Sequence, residues 1–256
     1  MGIPLFRGNM DSRAVINPRD QIRYDEAKSG RRRPYPEKLI LCFTGEVLRS
    51  AQENHDVKLV EKNWWGWLYV VNGGGSQIGM LQSGIGDSFA GLVLELLIAR
   101  GATDIIAVGT AGGLQRRLKI GDIVLVERAI RDEGVSYHYA KASKYALASA
   151  RLNRRIEDVL RKMKLHYEKG TTWTNDAPFR ETITDTKKFQ QEGVLCVEME
   201  AASLFSIGKF RGVDVGGLCW ISDDISRLKW DPQFNTEAYD RGRNNAVEAA
   251  IRTFSI

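Results

Sequence analysis

Two glutamates, Glu198 and Glu200, flank Met199 in the otherwise apolar stretch GVLCVEMEAASLFSIG, Gly193 to Gly208. Desolvating an ionised carboxylate that has no partner costs several kcal/mol, so carboxylates in such a run need a reason. One carboxylate accepts both hydrogen bonds of a vicinal diol, the group that sugars present. A methionine beside it offers a flexible apolar surface to a ring or sugar. The plainer alternative is attraction to the positive end of the helix that starts here, with both side chains in water. A second acidic group follows an apolar run at ISDD, where Ser222, Asp223 and Asp224 precede Arg227. An aspartate in a half-buried cleft has a raised pKa and acts as a general acid. A Ser or Asp in this place equally suits the N-cap of a following helix.

Two further segments offer groups for an anion. In VGTAGG, Gly109, Gly112 and Gly113 let a ligand approach the backbone, and Thr110 adds a hydroxyl. Successive N–H groups in a turn of this kind hold an anion. Without a ligand, the same residues make a tight turn of positive φ. The Lys-Ser/Thr of a P-loop is missing. In TGEVLRS, Gly45 ends an apolar run and Arg49 follows. Arginine grips a carboxylate or phosphate bidentately, or sits here as a surface residue on a short helix. No metal-ligand spacing or cofactor motif is visible.

The elements that position these residues follow from hydrophobic periodicity. KLILCFTG (Lys38–Gly45) reads as a buried strand and a turn. Trp65 to Gly84 reads as two strands joined by Asn-Gly-Gly-Gly. Asp87 to Gly101 is a helix, Asp104 to Leu114 a buried strand entering the glycine turn, and Lys119 to Asp132 begins another strand. A helix from about Arg151, a strand at GVLCVE, a helix over Glu200–Gly212, a strand over Val213–Asp224 and a closing helix over Asn235–Phe254 complete the chain. Apolar strands alternating with amphipathic helices predict an α/β fold, one domain with a mixed sheet and helices on both faces. In such folds ligands collect beyond the carboxyl ends of strands, where all four segments lie. The first 37 residues are polar and rich in Arg and Pro, and are expected to form an extended arm ahead of a domain at 38–256.

Composition narrows the function classes. A hydrophobic share of 43% over 256 residues supports one large core and excludes a disordered chain. No apolar run reaches the ~18 residues of a membrane span, and the N-terminus lacks the apolar segment of a signal peptide. Cys42, Cys196 and Cys219 sit singly in apolar runs, as reduced core cysteines of a cytoplasmic protein do. The net charge of +5 is dispersed apart from GRRRPYP (Gly30–Pro36) and Arg151–Lys164. The latter alternates with carboxylates and apolar positions like a solvated helix face, so nucleic acid is not the expected partner.

These four segments, in this order, resemble the nucleoside phosphorylase family, which holds hexameric purine nucleoside phosphorylase, uridine phosphorylase and the methylthioadenosine nucleosidases. The resemblance runs from about Lys38 to the C-terminus. VEMEAASLF is similar to that family's sugar-binding signature, VGTAGGLQRRLKIGDIVL to its phosphate and base turn, and RDEGVSYHY (Arg131–Tyr139) to the uridine branch. The resemblance implies a three-layer nucleoside phosphorylase-like fold. It implies phosphorolysis of an N-glycosidic bond to free base and ribose 1-phosphate, with phosphate as co-substrate and no other cofactor. It also implies a homo-oligomer, a hexamer built as a trimer of dimers or a dimer, with sites that borrow residues from a neighbour.

Residue by residue, the resemblance gives Glu200 the ribose hydroxyls and packs Met199 on the ribose, with Glu198 in support. It gives Gly45, Arg49 and Thr110 to phosphate, and Ala111, Gly112 and Val197 to the base. Asp223 matches the aspartate that protonates N7 of a purine leaving group, with Arg227 helping to set that proton. Arg180, in DAPFRET (Asp176–Thr182), donates to a base carbonyl. The chain departs from the pattern in four ways. Gly-Glu-Val-Leu-Arg stands for Gly-Asp-Pro-x-Arg. Ala107 stands where an arginine usually meets phosphate. Lys62 takes the place of the phosphate arginine that a neighbouring subunit supplies. The N-terminal histidine that reaches a neighbour's ribose has no counterpart among His55, His138 and His166. The leading expectation is a nucleoside phosphorylase, with Ser222-Asp223 pointing to purines and RDEGVSYHY to uridine. The scarcity of phosphate cations makes a nucleosidase of the same fold the alternative, and a non-catalytic nucleoside-binding protein is the alternative of another class.

Overall fold

The computed structural model describes residues 12–30, 35–73 and 76–255. The first eleven residues of the arm, Arg31–Pro34 of the basic cluster and the Gly74–Gly75 tip of the glycine turn lie outside them. The elements in order are α1 (Pro18–Ser29), β1 (Lys38–Cys42), α2 (Gly45–Asn54), β2 (Val57–Asn63), β3 (Gly66–Gly73), β4 (Ser76–Gln82) and α3 (Asp87–Ala99). Then come β5 (Asp104–Gly113), β6 (Ile123–Asp132), β7 (Tyr145–Leu147), α4 (Ala150–Lys162), β8 (Tyr167–Asn175) and α5 (Ile183–Gln191). The chain continues with β9 (Cys196–Glu198), α6 (Ala201–Arg211), β10 (Asp214–Asp224), β11 (Asp231–Pro232) and α7 (Glu237–Ser255).

Alternation along the central strands divides the core into two layers. Leu39, Leu41, Ile105, Ala107, Val124 and Val126 face the side that carries α1, α3 and α6. Their neighbours Ile40, Cys42, Ile106, Val108, Ile123 and Leu125 face α2, α4 and α7. Each strand thus buries both faces, which is why its sequence is a continuous apolar run. The expected α/β class, with one mixed sheet between helices on both faces, is the fold observed.

The sheet runs β11-β10-β6-β8-β9-β5-β1-β4-β3-β2, with β7 beside β6 and an added pairing of β10 with β5. That added pairing closes β10, β6, β8, β9 and β5 into a ring. β10 lies parallel to β5 from Asp214/Asp104 to Asp224/Gly113, and β9 pairs antiparallel with the last two residues of β5. The ring brings the carboxyl end of β5, all of β9 and the carboxyl end of β10 to one place.

Three expectations are corrected. The arm is not extended throughout: α1 starts at Asn17, whose Oδ1 accepts from Arg19 N at 3.0 Å, and Asp20 accepts in return from Asn17 N at 3.2 Å. Ile22 of α1 joins the core under α3. VGTAGG is no turn of positive φ; β5 runs through Gly113, and these glycines are absent from the positive-φ residues. They are glycine because side chains crowd their faces. A Cβ on Gly109 would lie 2.7 Å from Phe43 Cδ2, and one on Gly112 would lie 3.2 Å from Asp223 Oδ2. Nor does ISDD cap a helix. β10 continues through Asp224, whose Oδ1 accepts from Ser226 N at 2.6 Å in the turn that follows.

The start of α7 is seated by a contact between two backbones. A Cβ on Gly121, at φ +85°, would lie 2.2 Å from Ala238 O, and one on Gly242 would lie 2.5 Å from Gly121 Cα. Gly193 has a similar φ of +76° with nothing within 4 Å of a Cβ. Gly193→Ala therefore costs backbone strain alone, roughly 1–2 kcal/mol. Gly121→Ala adds a clash that the helix must move to relieve. Thermal unfolding of the two variants should show the larger loss of Tm for Gly121→Ala; equal losses would mean that α7 does not depend on this contact.

Candidate active site

A cavity of about 670 Å³ lies where the carboxyl ends of β1, β5, β9 and β10 converge. Of the residues singled out in the sequence, Thr110, Ala111, Gly112, Val197, Met199, Glu200 and Asp223 line it. Gly45, Arg49, Arg180 and Arg227 do not. Arg49 is exposed on α2, Arg180 is exposed in the 3-10 turn Pro178–Arg180, and Arg227 is exposed in the turn after β10. Gly45 starts α2 beside the Gln82 side chain, and its neighbours Thr44 and Glu46 face the cavity instead. Lys62 is exposed on β2 with its ammonium 4.3 Å from the centre of the Trp67 ring, and Ala107 is buried in the core.

The opening pair of glutamates divides into two jobs. Glu198 Oε2 accepts from Glu200 N at 2.9 Å and Ala201 N at 2.7 Å, and Oε1 accepts from Thr174 Oγ1 at 2.6 Å. The Thr174 hydroxyl in turn accepts from Ala202 N at 3.0 Å. The amides of the N-cap residue Glu200 and of the first two residues of α6, which no helical carbonyl can satisfy, thus end on Glu198 and Thr174. The attraction to a helix N-terminus was legible in the sequence, but water has no part in it: Glu198 and Glu200 are 8% and 5% exposed. Glu200 turns the other way, where its Oε1 accepts from Gly86 N at 2.7 Å at the start of α3. Burial pushes the Glu200 carboxyl up to about 8, with the Glu198 and Asp176 charges adding and the Gly86 N–H opposing. Burial raises Glu198 too, against the pull of the donors around it. A diol donating to Glu200 favours its ionised form and reverses part of that shift.

Asp223 owes its aim to an irregularity. The register of β10 on β5 shifts between Ile221 and Asp223, so Ser222 is an extra residue and the aspartate comes opposite Gly112. Its Oδ1 accepts from Ser222 Oγ at 2.6 Å and its Oδ2 from Trp230 Nε1 at 3.0 Å. Gly112 and Val197 lie beside the aspartate and share the cavity wall with it. Elsewhere on the cavity wall, Tyr239 of α7 donates to Glu46 Oε2 at 2.5 Å, and burial and that carboxylate push the phenol's pKa up.

Sequence reasoning passed over Glu181, Glu46, Tyr239 and Trp230, all of which line the cavity. Glu181 is the instructive case. Pro178 opens a single 3-10 turn, Pro178–Arg180, after which Arg180 points outward and Glu181 faces the cavity. The cavity wall holds five carboxylates, Glu46, Glu181, Glu198, Glu200 and Asp223, against one cation, Lys229, among the described residues. RDEGVSYHY forms no part of the lining. Its Arg131 is buried and donates to Ser136 Oγ at 2.7 Å, the Lys141 carbonyl at 2.7 Å and Ser143 Oγ at 2.9 Å, which makes the segment a structural knot behind Asp87.

A family model described as the phosphorylase superfamily matches residues 38–254. The guanosine phosphorylase of Halorubrum lacusprofundi is 24% identical over 209 residues, which take in 81% of this chain and 86% of that protein. A DeoD-type purine nucleoside phosphorylase of Alkaliphilus metalliredigens is 31% identical over 153 residues, 59% of this chain and 66% of that protein. The crystal structure of uridine phosphorylase from Vibrio fischeri superposes with a TM-score of 0.77 at 26% identity, covering 85% of this chain and 91% of that one.

The raised Glu200 carboxyl has a stability signature in the ligand-free protein. Its folded-state value lies above the usual 4.5, so the folded protein holds a proton that the unfolded chain releases. Stability therefore falls as pH rises from about 4.5 to about 8 and levels off beyond. Glu200→Gln removes that cost. Its Tm should exceed that of the parent above pH 8 and match it at the acidic end, as thermal melts across that range would show. A Tm difference independent of pH would mean that Glu200 is not protonated in the folded state.

Proposed function

Because the chain belongs to the phosphorylase superfamily, we propose that it cleaves the N-glycosidic bond of a purine ribonucleoside with phosphate, giving free base and ribose 1-phosphate. The observation that carries this reading is one cavity that joins Met199 and Glu200 to the Gly112–Val197 surface and to Asp223. In this reading Glu200 accepts from the ribose hydroxyls and Met199 packs on the sugar. The base lies against Gly112, Ala111 and Val197, with N7 at Asp223. As the C1′–N9 bond breaks, its electron pair moves into the base, and the Asp223 proton passes to N7. A phosphate oxygen then forms the new bond to C1′ as the sugar loses its oxocarbenium character. Ser222 and Trp230 keep the aspartate in place during the transfer. Thr44 and Thr110 offer hydroxyls to the phosphate.

Purines are preferred in this reading because a general acid at N7 has no counterpart in a pyrimidine, and the uridine-like RDEGVSYHY lies away from the cavity. The names of the purine and guanosine relatives lean the same way, while the uridine phosphorylase likeness does not. A homo-oligomer belongs to the same proposal, with a neighbouring copy supplying cations to the phosphate.

Hydrolysis is the second reading, favoured by the surplus of carboxylates over Lys229 and by Ala107 on β5. Carboxylates that repel a phosphate dianion do not repel water. Turnover of inosine and adenosine with and without phosphate separates the two. The proposal expects no base release without phosphate and ribose 1-phosphate with it; equal rates and free ribose support hydrolysis. Asp223→Asn should reduce purine turnover by about 100- to 10,000-fold, the usual worth of general acid catalysis, and uridine turnover far less. Unchanged purine turnover in that variant would remove Asp223 from the chemistry.

A further inference from the structure

Neither the proposed reaction nor the packing of the core calls for a carboxyl at Asp87, the first residue of α3, which is 1% exposed. Its Oδ2 accepts from Val135 N at 3.4 Å, a long bond. Its Oδ1 meets no donor among the described residues, and neither does Oε1 of Glu133, which is also buried. Within hydrogen-bonding reach of Asp87 stand two further acids, Glu133 just after β6 and Asp176 just after β8. Both are tied to one loop: Glu133 Oε2 accepts from Ser136 N at 2.9 Å, and Asp176 Oδ2 from Gly134 N at 3.2 Å.

Three ionised carboxylates repel one another, and strongly where burial removes water. Arg131 of β6 acts on Glu133, but its N–H groups go to Ser136, Ala140, Lys141 and Ser143. Asp132 accepts from Trp173, and Tyr137 and the exposed His138 lie in the 3-10 turn Val135–His138. Glu198 and Glu200 stand at the end of β9, and Glu95 pairs with Arg211 further along α3. No group of His, Cys, Asp or Glu among the described residues has the arrangement of a metal site. What the triad lacks is a proton. Burial, Asp176 and Glu133 push the Asp87 carboxyl up to about 9. A protonated Asp87 donates to one neighbouring acid while its other oxygen accepts from Val135, which closes the network.

That network ends one residue from the sugar-binding carboxylate. Asp87 follows Gly86, whose N–H donates to Glu200 Oε1 at 2.7 Å. Gly86 sits at φ +100° and has no side chain, so the adjacent side chain that fixes this backbone is that of Asp87. Resting on the reading that Glu200 holds the ribose hydroxyls, we propose that Asp87 is a positioning residue: as a neutral acid between Asp176 and Glu133 it anchors the start of α3, so that the Gly86 N–H holds Glu200 in place for the sugar. Ionised Asp87 is repelled by both neighbours and releases that anchor. It also puts a charge near Glu200 that disfavours the ionised form the diol needs. Affinity for the sugar therefore falls as pH rises through the Asp87 transition.

The test compares the Kd of adenosine with that of 2′,3′-dideoxyadenosine, which lacks the diol, from about one pH unit below to one above the Asp87 value of about 9. The ratio of the second Kd to the first isolates the diol, because the base and its contacts, Asp223 among them, are common to both. In the parent the ratio should fall about tenfold with rising pH, the worth of one charge-assisted hydrogen bond. Glu200 titrates at about 8 and its ionisation acts in the opposite direction, so it does not produce that fall. Asp87→Asn, whose amide donates to both acids and still accepts from Val135, should keep the parent's high ratio across the range. A parent ratio that does not fall, or a fall of the same size in Asp87→Asn, overturns the role of Asp87 and leaves the ribose reading standing. A parent ratio near one at every pH means that the diol is not recognised, and overturns both. Should Asp87→Asn fail to fold, Asp176→Asn on the exposed segment serves instead. With that charge gone Asp87 holds its proton less firmly, so the fall should move to lower pH; an unmoved fall counts against the proposal.

Discussion

The hydrogen bonds from the first turn of α6 to Glu198 are the constraint on which the site depends. β9 is only three residues long, and the chain must leave it and enter a helix buried on nearly every side. Three amides start that helix in a place water cannot reach. Glu198, backed by Thr174 of β8, receives them, and so ties β8, β9 and α6 together. With Glu198 engaged there, Glu200 is free to point across to Gly86 and into the cavity. The two carboxylates stand two residues apart, yet they serve different elements. Their mutual repulsion and burial leave Glu200 poised to gain a hydrogen-bond donor.

Much of this was legible in the sequence because each strand that ends at the cavity carries its chemistry at its last residues. Continuous apolar runs marked β1, β5, β6 and β10, and VEMEA, VGTAGG and ISDD marked three of the ends that meet. What was illegible shares a cause: it depends on a local rotation or a long-range contact that spacing does not encode. The extra residue Ser222 in β10 re-aims Asp223, and one 3-10 turn exchanges Arg180 for Glu181. The VGTAGG glycines answer to Phe43 and Asp223, residues distant in sequence, and not to a turn. β8, YEKGTTWTN, lacked the apolar alternation of an exposed strand because its partners cover it and its threonines serve Glu198. The start of α1 does carry a local signal, Asn17-Pro18-Arg19-Asp20, with a capping Asn and a Pro in the first turn.

The electrostatics of the cavity set this chain apart from the pattern it resembles. The expected cations Arg49, Arg180 and Arg227 all point elsewhere, and carboxylates outnumber cations along the wall. Such a cavity suits a sugar and a donor-bearing base edge better than a free phosphate dianion. The tie between Glu46 and Tyr239 also links the cavity wall to α7, so a shift of the helix would be felt in the cavity.

The claim that Glu198 builds the site and Glu200 serves the ligand is tested most directly by measuring Tm and nucleoside Kd in parallel for Glu198→Gln and Glu200→Gln. An amide at 198 cannot accept from all the donors aimed at it, so Glu198→Gln should lose about 1–3 kcal/mol of stability. Glu200→Gln should keep its fold and bind nucleoside roughly tenfold to a hundredfold more weakly. An unimpaired Kd in Glu200→Gln, or a Tm untouched in Glu198→Gln, would contradict the division of labour on which the account stands.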